Sequence, residues 1–529
     1  MTLFLLLVAF IIIACIALNK LSNKLGIPML LAFILLGMTF GSDGLFRIQF
    51  DNYEFAEQIC SIALIFIMFY GGFGTSWKAA KPVAAKSIIL STIGVFFTAG
   101  LTCVFCHYFL NIDWLESLLL GSVISSTDAA SVFSILRSKR LNLKYNTASL
   151  LEIESGSNDP CSYMLTIITI AIMNNTANSG QIAYMFFSQI VFGLIFGVLI
   201  AILTIILMKH LNFEAGFDTI FVIAIALFAY AAPTELGGNG YLSVYIVGII
   251  LGNSNLKAKK NLVHFFDTIT GLMQMLVFFL LGLLSFPSKL PSVFLQALAI
   301  SVFLTFVGRP IVVSLLLAPF KSNISQIIVT SWAGLRGAAS IVFAIIATLS
   351  VDTSNDIFHT IFCIVLFSIL LQGSLLPYIS KTCGMIDDTG DVMKTFTDYT
   401  DEVPVQFIQS RITSNHPWCN NRLNSVLMPP DTIIALVVRD GKKLTPNGDS
   451  KLKDGDNVII CAPSSAKIEG VSLSEKIIAN DDTYIGMTLS EIDIPKNELI
   501  IMIQRANEVI IPTGNTVIEA NDILVINNT

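Results

Sequence analysis

The first 380 residues consist of long apolar runs separated by short polar connections. A helix that crosses a bilayer needs about 20 mostly apolar residues, and the pattern predicts thirteen spans in this region. They lie near residues 3–19, 26–40, 55–73, 83–107, 114–136, 147–173, 182–208, 217–233, 240–252, 263–285, 291–319, 324–349 and 356–380. From about Lys381 the sequence becomes polar and mixed. The pattern therefore predicts an α-helical membrane domain, 1–380, followed by a soluble tail.

The basic residues indicate how these spans are oriented. The connections that follow odd-numbered spans hold fourteen of them: Lys20, Lys24, Lys78, Lys81, Lys86, Arg137, Lys139, Arg140, Lys144, Lys209, Lys257, Lys259, Lys260 and Lys321. The other connections hold Arg47 and Lys289. Because Lys and Arg concentrate on the cytoplasmic side, we expect an external N-terminus and a cytoplasmic tail. The first run lacks a basic flank and a cleavage site, which favours a spanning helix over a signal peptide.

Composition agrees with a cell-membrane protein and points away from several other classes. The 529 residues are 54% hydrophobic and only 13% charged, against about 25% charged in soluble domains. The net charge of −6 indicates no nucleic-acid-binding surface. Five histidines and nine cysteines are dispersed; Cys103 and Cys106 form a CxxC, but inside an apolar run, where they are expected to be packing residues. We expect no enzymatic activity and no cofactor.

Ionisable residues interrupt the apolar runs at five places. Asp128 lies in "SVISSTDAASVF", Glu154 and Asp159 in "LLEIESGSNDPCSYML", Arg336 in "SWAGLRGAAS", and Arg309 in "FVGRPIVV". Charged groups at membrane depth are costly, and they usually serve transport or pair with one another.

Helical spacing assigns roles to these side chains. Ser155 and Asp159 are four residues apart and share one helix face, while Glu154 and Asn158 share the next face. A buried arginine needs a counter-charge, and Glu154 is the expected partner of Arg336 in a structural ion pair. Asp128 and Asp159 then lack an assured protein counter-charge. A carboxylate in that situation binds a proton or a cation, which is the chemistry of a proton–cation exchanger.

Two segments predict breaks inside spans. Polar residues follow one another from Ser125 to Asp128 in the fifth span, and two glycines flank Arg336 in the twelfth. Irregular backbone at membrane depth is tolerated only where it lines a cavity or packs in protein. Because the two spans run in opposite directions, the pattern suggests inverted repeats whose broken helices 5 and 12 meet at an ion site.

The motifs "STDAASV", "LEIESGSNDP" and "GLRGAASI" resemble the cation–proton antiporter superfamily, specifically its sodium–proton exchanger-like, thirteen-span electroneutral branch. The resemblance covers about residues 1–380. It implies a homodimer in which a core moves against a dimerisation scaffold. It also implies that Asp159 carries cation and proton in turn, that Thr127, Asp128 and Ser155 complete the cation site, and that Asn158 fixes Glu154 and Arg336. Two departures are Tyr70, where relatives often carry an acid, and Ala129, where proline is common.

The tail holds an internal repeat at an offset of 66 residues. "PPDTIIALVVRDGKKLTPNGDSKLKDGDNVII" aligns without gaps with "PKNELIIMIQRANEVIIPTGNTVIEANDILVI". Each unit predicts three strands, with a helix-like stretch such as "MTLSEID" before them, so a small α+β tail is expected. The predicted segments are a linker, 381–402, and two modules, 403–465 and 466–529.

Each module resembles the C-terminal domain of regulators of potassium conductance. In that family such domains dimerise and often bind a small ligand, for which a cyclic dinucleotide such as cyclic di-AMP is one candidate. No GxGxxG motif follows a strand, so the nucleotide-binding Rossmann half is not expected. The leading hypothesis is a tail-regulated antiporter that exchanges K⁺ or Na⁺ for H⁺, with K⁺ favoured by the tail. The alternatives are a tail-gated monovalent cation channel, although no "TVGYG"-like filter is present, and a sensor or scaffold with a transporter fold.

Overall fold

A computed structural model describes most of the chain. It covers residues 6, 9–18, 28–139, 141–211, 216–256, 259–387, 405–414, 416–426, 428–429, 432–439, 442–444, 446–463, 472–478, 484–492, 498–505, 508–510 and 512–528. The chain divides into two units, Met1–Thr400 and Asp401–Thr529, which are described separately.

The described residues of the first unit form helices and the connections between them, as the apolar runs predict. Its helices are α1 Ala9–Leu18, α2 Met29–Phe40, α3 Tyr53–Gly74, α4 Trp77–Ala80, α5 Ala84–Ser91, α6 Ile93–Leu110, α7 Trp114–Ile124, α8 Ala129–Ser138, α9 Thr147–Met173, α10 Ser179–His210, α11 Phe217–Glu235, α12 Gly240–Gly252, α13 Lys259–Leu284, α14 Leu290–Phe303, α15 Arg309–Leu317, α16 Ile324–Trp332, α17 Ala338–Ser350, α18 Ile357–Phe367 and α19 Ser374–Thr382. Among the described residues, seven helical stretches are long and apolar enough to span a bilayer, and five shorter apolar helices accompany them.

Several predicted spans are interrupted in the structure. The run 83–107 is divided at Thr92 between α5 and α6. A π-helical turn, Leu304–Gly308, joins α14 to α15, and a second, Ser368–Gly373, joins α18 to α19. Such turns free backbone groups locally and are frequent at functional sites. The second turn contributes Ser368 to the centre of the unit, which is described below, and the first immediately precedes Arg309.

The fifth and twelfth spans are broken, as predicted. The first break separates α7 from α8 at residues 125–128, where the Ser125 hydroxyl donates to the Ser122 carbonyl at 2.7 Å and competes with helix continuation. The second separates α16 from α17 at residues 333–337. Glycine on each side of Arg336 favours irregular backbone there.

Contacts at the ends of these helices show that the two broken spans run in opposite directions. Glu116, in the first turn of α7, accepts hydrogen bonds from Ser354 and Asn355, which follow the end of α17. Gln326, in the first turn of α16, donates to Thr147, which follows the end of α8. The start of each broken span therefore lies beside the end of the other, as an inverted repeat requires.

The tail unit contains two antiparallel sheets of four strands. The first has the order β1-β4-β2-β3 and the second the order β5-β8-β6-β7. The strands are β1 Val405–Arg411, β2 Ile433–Arg439, β3 Lys442–Leu444, β4 Asn457–Pro463, β5 Ser472–Ile477, β6 Glu498–Arg505, β7 Glu508–Ile510 and β8 Ile523–Asn528. Each sheet covers a small apolar core, with Val437 and Val458 in the first and Ile503 and Leu524 in the second.

The 66-residue repeat places an equivalent arginine–aspartate contact in each module. Arg439 forms a two-point ion pair with Asp456, and Arg505 forms the same pair with Asp522, with nitrogen–oxygen distances of 2.7–2.8 Å. The stretch "MTLSEID" is expected to be helix-like, but its described residues, 487–492, form turns instead. The Glu491 carboxylate accepts from the backbone and hydroxyl of Thr488 at 2.8 Å. The amides of Leu489 and Ser490 donate to the carbonyls of Thr516 and Gly514 at 3.0 and 2.9 Å, so the backbone of this stretch pairs with another loop and not within a helix.

Candidate functional site

The two helix breaks meet in the middle of the first unit. The Asp128 amide of the first break donates to the Leu335 carbonyl of the second at 2.8 Å. The Arg336 amide donates to the hydroxyl of Ser368, in the second π-helical turn, at 3.0 Å. The breaks therefore support each other, and they gather the polar side chains that the sequence places in separate spans.

Arg336 holds the end of α7. Its guanidinium donates to the carbonyl of Ile124 and, at 2.8 Å, to that of Ser126. The last carbonyls of a helix have no partner within the helix and carry the negative end of its dipole. A buried arginine at this point satisfies those carbonyls and fixes the break in one conformation.

The expected ion pair between Glu154 and Arg336 is wrong. Glu154 forms its salt bridge with Arg309, which begins α15, and both side chains are buried. Arg336 has a different task, because it satisfies the carbonyls at the end of α7. The sequence indicates Arg309 as a charge at membrane depth without giving it a role, and spacing within one helix does not show which arginine faces Glu154.

Asp159 is buried in α9 and faces the first break. Its Oδ1 accepts a hydrogen bond from the hydroxyl of Ser126. One turn earlier, the Ser155 hydroxyl donates to the Thr127 carbonyl at 2.7 Å. The structure thus brings Asp159, Ser155 and Thr127 together. It adds Ser126, which sequence reasoning does not single out although it stands in the polar run 125–128.

Asn158 lies on the neighbouring face of α9 and also contacts the break. Its amide nitrogen donates to the Thr127 hydroxyl at 2.6 Å. The sequence resemblance implies that Asn158 supports Glu154 and Arg336, whereas its described hydrogen bond holds Thr127. Asn158 therefore positions Thr127, which lies between Ser126 and Asp128.

Asp128 caps the second half of the broken fifth span. Its carboxylate accepts from the backbone amide of Ser131 at 3.3 Å and from the Ser131 hydroxyl. This is the geometry of an N-capping residue. The side chain also lies against Gly337 of the second break, where a Cβ atom would come within 2.1 Å of an Asp128 oxygen. Glycine is therefore required at position 337 for Asp128 to occupy this place.

The first helix break and α9 bring two carboxylates and several hydroxyl and carbonyl oxygens together at the centre of the unit. Oxygen ligands of this kind suit hard cations such as alkali metal ions. A buried carboxylate without full charge compensation also has a strong reason to take up a proton. The arrangement is suited to binding a monovalent cation and a proton at the same group in turn.

Tyr70 of the third predicted span contacts an acidic side chain on another helix. Its hydroxyl donates to Oδ1 of Asp267 in α13 at 3.0 Å. A carboxylate is therefore present beside the third span, although it is supplied by the tenth predicted span.

Comparisons with known proteins give matches of three kinds. The profile described as sodium/hydrogen exchanger, transmembrane, matches residues 8–382, and the TrkA-C domain matches residues 407–469 and 473–526. The chain is 33% identical over 445 residues to the K(+)/H(+) antiporter NhaP of Alkalimonas amylolytica, covering 83% of this chain and 77% of that protein. It is also 33% identical to the K(+)/H(+) antiporter NhaP2 of Shewanella sp. (strain ANA-3), covering 88% and 81%.

A more distant relative and a solved structure complete the comparison. The Na(+)/H(+) antiporter ApNhaP of Aphanothece halophytica is 26% identical over 352 residues, covering 63% of this chain and 66% of that protein. The structure of the sodium proton antiporter MjNhaP1 from Methanocaldococcus jannaschii superposes with a TM-score of 0.62 at 24% identity. It covers 70% of this chain and 99% of that one, which shows a common fold.

Proposed function

The chain belongs to the sodium/hydrogen exchanger family, and from this premise we propose how its central site exchanges a cation for a proton. The chain is a polytopic membrane protein and a cation/proton antiporter with a regulatory tail. The single observation that carries the mechanism is the position of Asp159, which lies beside the broken fifth span and accepts from Ser126. Asp159 binds the cation and the proton in competition, so each ion displaces the other.

The neighbouring residues complete the site in this proposal. Asp128, Thr127 and Ser155 supply or position oxygen ligands, Asn158 holds Thr127, and Glu154 with Arg309 fixes α9 against α15. Arg336 keeps the end of α7 in place. Because one ion occupies the carboxylate at a time, exchange is one for one and electroneutral. A rocking motion of the broken spans exposes Asp159 to one side of the membrane and then to the other.

K⁺ is the proposed cation because two relatives that each cover more than four-fifths of this chain are K(+)/H(+) antiporters by name. Na⁺ is the second candidate, since the more distant relative ApNhaP is a Na(+)/H(+) antiporter by name. The protein acts as a homodimer with its N-terminus outside and its tail in the cytoplasm. A tail-gated channel is the alternative mechanism, and it would conduct ions without obligatory exchange.

The tail acts on transport through the segment that leads into it. The Lys144 amide donates to Met385 at 2.9 Å, and the Asp387 amide donates to Asn142 at 3.0 Å. This backbone bridge joins the connection between α8 and α9 to the chain just beyond α19. A ligand of the modules 403–465 and 466–529, with a cyclic dinucleotide as one candidate, would shift transport by its differential affinity for two states.

The test is flux in proteoliposomes with an imposed pH gradient, comparing K⁺, Na⁺, Li⁺ and Rb⁺. Wild-type protein should exchange K⁺ for protons without generating a membrane potential. Asp159→Asn should fold normally and lose exchange, and Asp128→Asn should lose it or require far more cation. Cation-dependent proton flux through purified Asp159→Asn would remove this residue from the mechanism, and a cation current without proton movement would favour the channel.

A further inference from the structure

A second group of polar side chains lies one helical turn beyond Asp159. Tyr163 follows Asp159 by four residues in α9 and shares its face. Its ring packs at 5.1 Å, centroid to centroid, against Tyr241 at the start of α12. The Tyr241 ring lies 4.9 Å from that of Tyr230 in α11. Three tyrosines from three helices therefore meet one turn of α9 beyond Asp159, toward the C-terminal end of that helix.

A carboxylate ends this group. The Tyr241 hydroxyl donates to Ser61 of α3 at 3.4 Å, and the Ser61 hydroxyl donates to Oε1 of Glu57 at 2.7 Å. The hydroxyls of Tyr163 and Tyr230 are hydrogen-bonded to each other, and both lie within electrostatic range of the Glu57 carboxylate. Tyr241 is fully buried, whereas Glu57 is only half-buried. The polar groups thus extend from the buried neighbourhood of Asp159 to a partly accessible carboxylate.

The group lies on one side of Asp159 only. On the other side, toward the connections rich in lysine, Tyr245 of α12 packs directly on Gly156 of α9. Tyr241 and Tyr245 are four residues, about one helical turn, apart in α12. Tyr241 contacts α9 at Tyr163, after Asp159, and Tyr245 contacts α9 at Gly156, before Asp159. The side with Tyr241 carries Glu57 and Ser61, and it leads to the membrane face opposite the basic loops.

We propose that Glu57, with the hydroxyls of Ser61, Tyr163, Tyr230 and Tyr241, forms a second binding site for a monovalent cation, through which ions pass between Asp159 and the face opposite the basic loops. The inference rests on the proposed function, because it assumes that Asp159 exchanges cation and proton. A carboxylate and several hydroxyls are hard oxygen ligands of the kind that alkali metal ions prefer. A cluster of this polarity inside a membrane protein is costly to keep and usually marks an ion pathway.

The competing explanation is that these hydroxyls only hold helices together. The two explanations differ in sidedness, because a relay site affects ion capture from one face, whereas a purely structural cluster affects stability and both faces alike. The experiment measures the KM for Rb⁺ in Rb⁺/H⁺ exchange with full-length protein, in right-side-out and in everted membrane vesicles. Glu57→Gln is the test variant. Glu54→Gln, on the exposed first turn of the same helix, is the matched control.

Glu57→Gln should raise the KM for Rb⁺ about tenfold at the face opposite the basic loops, as expected for the loss of one charged ligand. The KM at the basic face should change less than about twofold, and Glu54→Gln should change neither value. Tyr163→Phe keeps the ring packing and removes the hydroxyl, so it should raise the same KM to a smaller extent. It is the deciding variant if Glu57→Gln does not reach the membrane.

Unchanged KM values in both vesicle types, equal changes at both faces, or an equal effect of Glu54→Gln would overturn the relay site while leaving the exchange reaction at Asp159 intact. Wild-type vesicles that exchange none of K⁺, Na⁺ and Rb⁺ for protons at either face would instead overturn the proposed function, and this inference with it. If wild-type protein exchanges K⁺ or Na⁺ but not Rb⁺, the same KM comparison is made with the transported ion.

Discussion

Two buried arginines in the membrane unit have different partners. Arg309 neutralises Glu154, and Arg336 satisfies the carbonyls at the end of α7. Removing one partner of a buried ion pair strands a charge and costs about 3–5 kcal/mol. Either Glu154→Ala or Arg309→Ala should therefore destabilise the protein strongly, even though neither residue is proposed to bind the transported ion.

A double-mutant cycle in detergent micelles tests this assignment. The free energies of unfolding of Glu154→Ala, Arg309→Ala and the double variant should show a coupling above about 1 kcal/mol, because the two side chains share one interaction. The corresponding cycle for Glu154 and Arg336 is the control, and its coupling should be smaller. A larger coupling with Arg336 than with Arg309 would show that the pairing in the structure is not the one that stabilises the protein.

The sequence locates the charged residues of the site but does not pair them. Helical spacing places Ser155 beside Asp159, and the structure brings both to the same helix break. Spacing carries no information about which distant helix faces Glu154, so it does not distinguish Arg309 from Arg336 as its partner. The contact of Ser126 with Asp159 is not predicted from the sequence for a similar reason. It depends on the turn at the helix break, which directs the Ser126 hydroxyl to Asp159.

At the scale of elements, α9 and α12 are held in close contact at Gly156. A Cβ atom at this position would lie 2.4–2.7 Å from ring atoms and the hydroxyl of Tyr245. Gly156→Ala should therefore destabilise the protein by about 1–3 kcal/mol through overpacking, and it should slow exchange if α9 moves past α12 during transport.

A second substitution separates this contact from other effects. Tyr245→Leu in the Gly156→Ala background makes room for the methyl group and should recover much of the lost melting temperature. Gly71→Ala is the matched control, since a Cβ atom at this position of α3 would meet open space. Equal destabilisation by the Gly71 and Gly156 substitutions would argue against a specific contact between α9 and α12.

Each of the two tail modules contains its own equivalent arginine–aspartate pair. Hydrogen bonds from Arg439 hold the pKa of Asp456 below its usual range, and Arg505 has the same effect on the pKa of Asp522. A carboxylate whose folded-state pKa is depressed adds stability above its unfolded pKa of about 3.9, and this stability is lost as pH falls through the folded pKa. The modules should therefore be stable at neutral pH and weaken in acid.

Arg439→Met should destabilise the first module by about 1–3 kcal/mol at pH 7, because it leaves the buried Asp456 without its charged donor. The difference from wild type should shrink below about pH 4, where the carboxylate in the unfolded chain is protonated. Hydrogen exchange of β4 in the full-length protein measures this effect, with β8 of the second module as the internal control. A difference that is constant with pH would exclude the ion pair as its cause.

Helices are predicted correctly from the sequence where the apolar pattern is long. They are not predicted correctly where local packing and hydrogen bonds determine the backbone conformation. Apolar runs locate the helices, and polar or glycine-rich interruptions locate both breaks. The division of residues 83–107 at Thr92 and the two π-helical turns carry no comparable pattern, because they arise from packing and backbone hydrogen bonds. The repeat offset of 66 locates the paired strands of the tail, whereas the stretch "MTLSEID" is too short for its composition to decide between helix and turn.

At the scale of the whole molecule, the bridge between residues 142–144 and 385–387 is the described connection through which the tail can affect the ion site. It ties the chain beyond α19 to the connection that precedes α9, which carries Asp159. Truncation after Asp387 keeps this bridge and removes the rest of the linker and both modules. The truncated protein should still exchange ions, with an altered dependence on cytoplasmic pH or ligand.

Substitutions within the bridge test the same route without deleting the tail. Asp387→Pro removes the amide that donates to Asn142, and it should reproduce the altered pH or ligand dependence of the truncated protein. Asp387→Ala keeps that amide and is the control. The comparison uses initial exchange rates in the same vesicles across a range of internal pH. A truncated protein that is stable and dimeric but inactive would show that the tail is part of the transport machinery.

The central claim is that cation and proton compete for Asp159, and proton release upon cation binding tests it most directly. Purified protein at pH 7 in weak buffer is titrated with K⁺ while the free proton concentration is recorded. Because a carboxylate must lose its proton to bind a cation, wild-type protein should release up to about one proton per bound K⁺, and Asp159→Asn should release none. Saturable K⁺ binding by wild-type protein without proton release, or equal release by Asp159→Asn, would contradict the account.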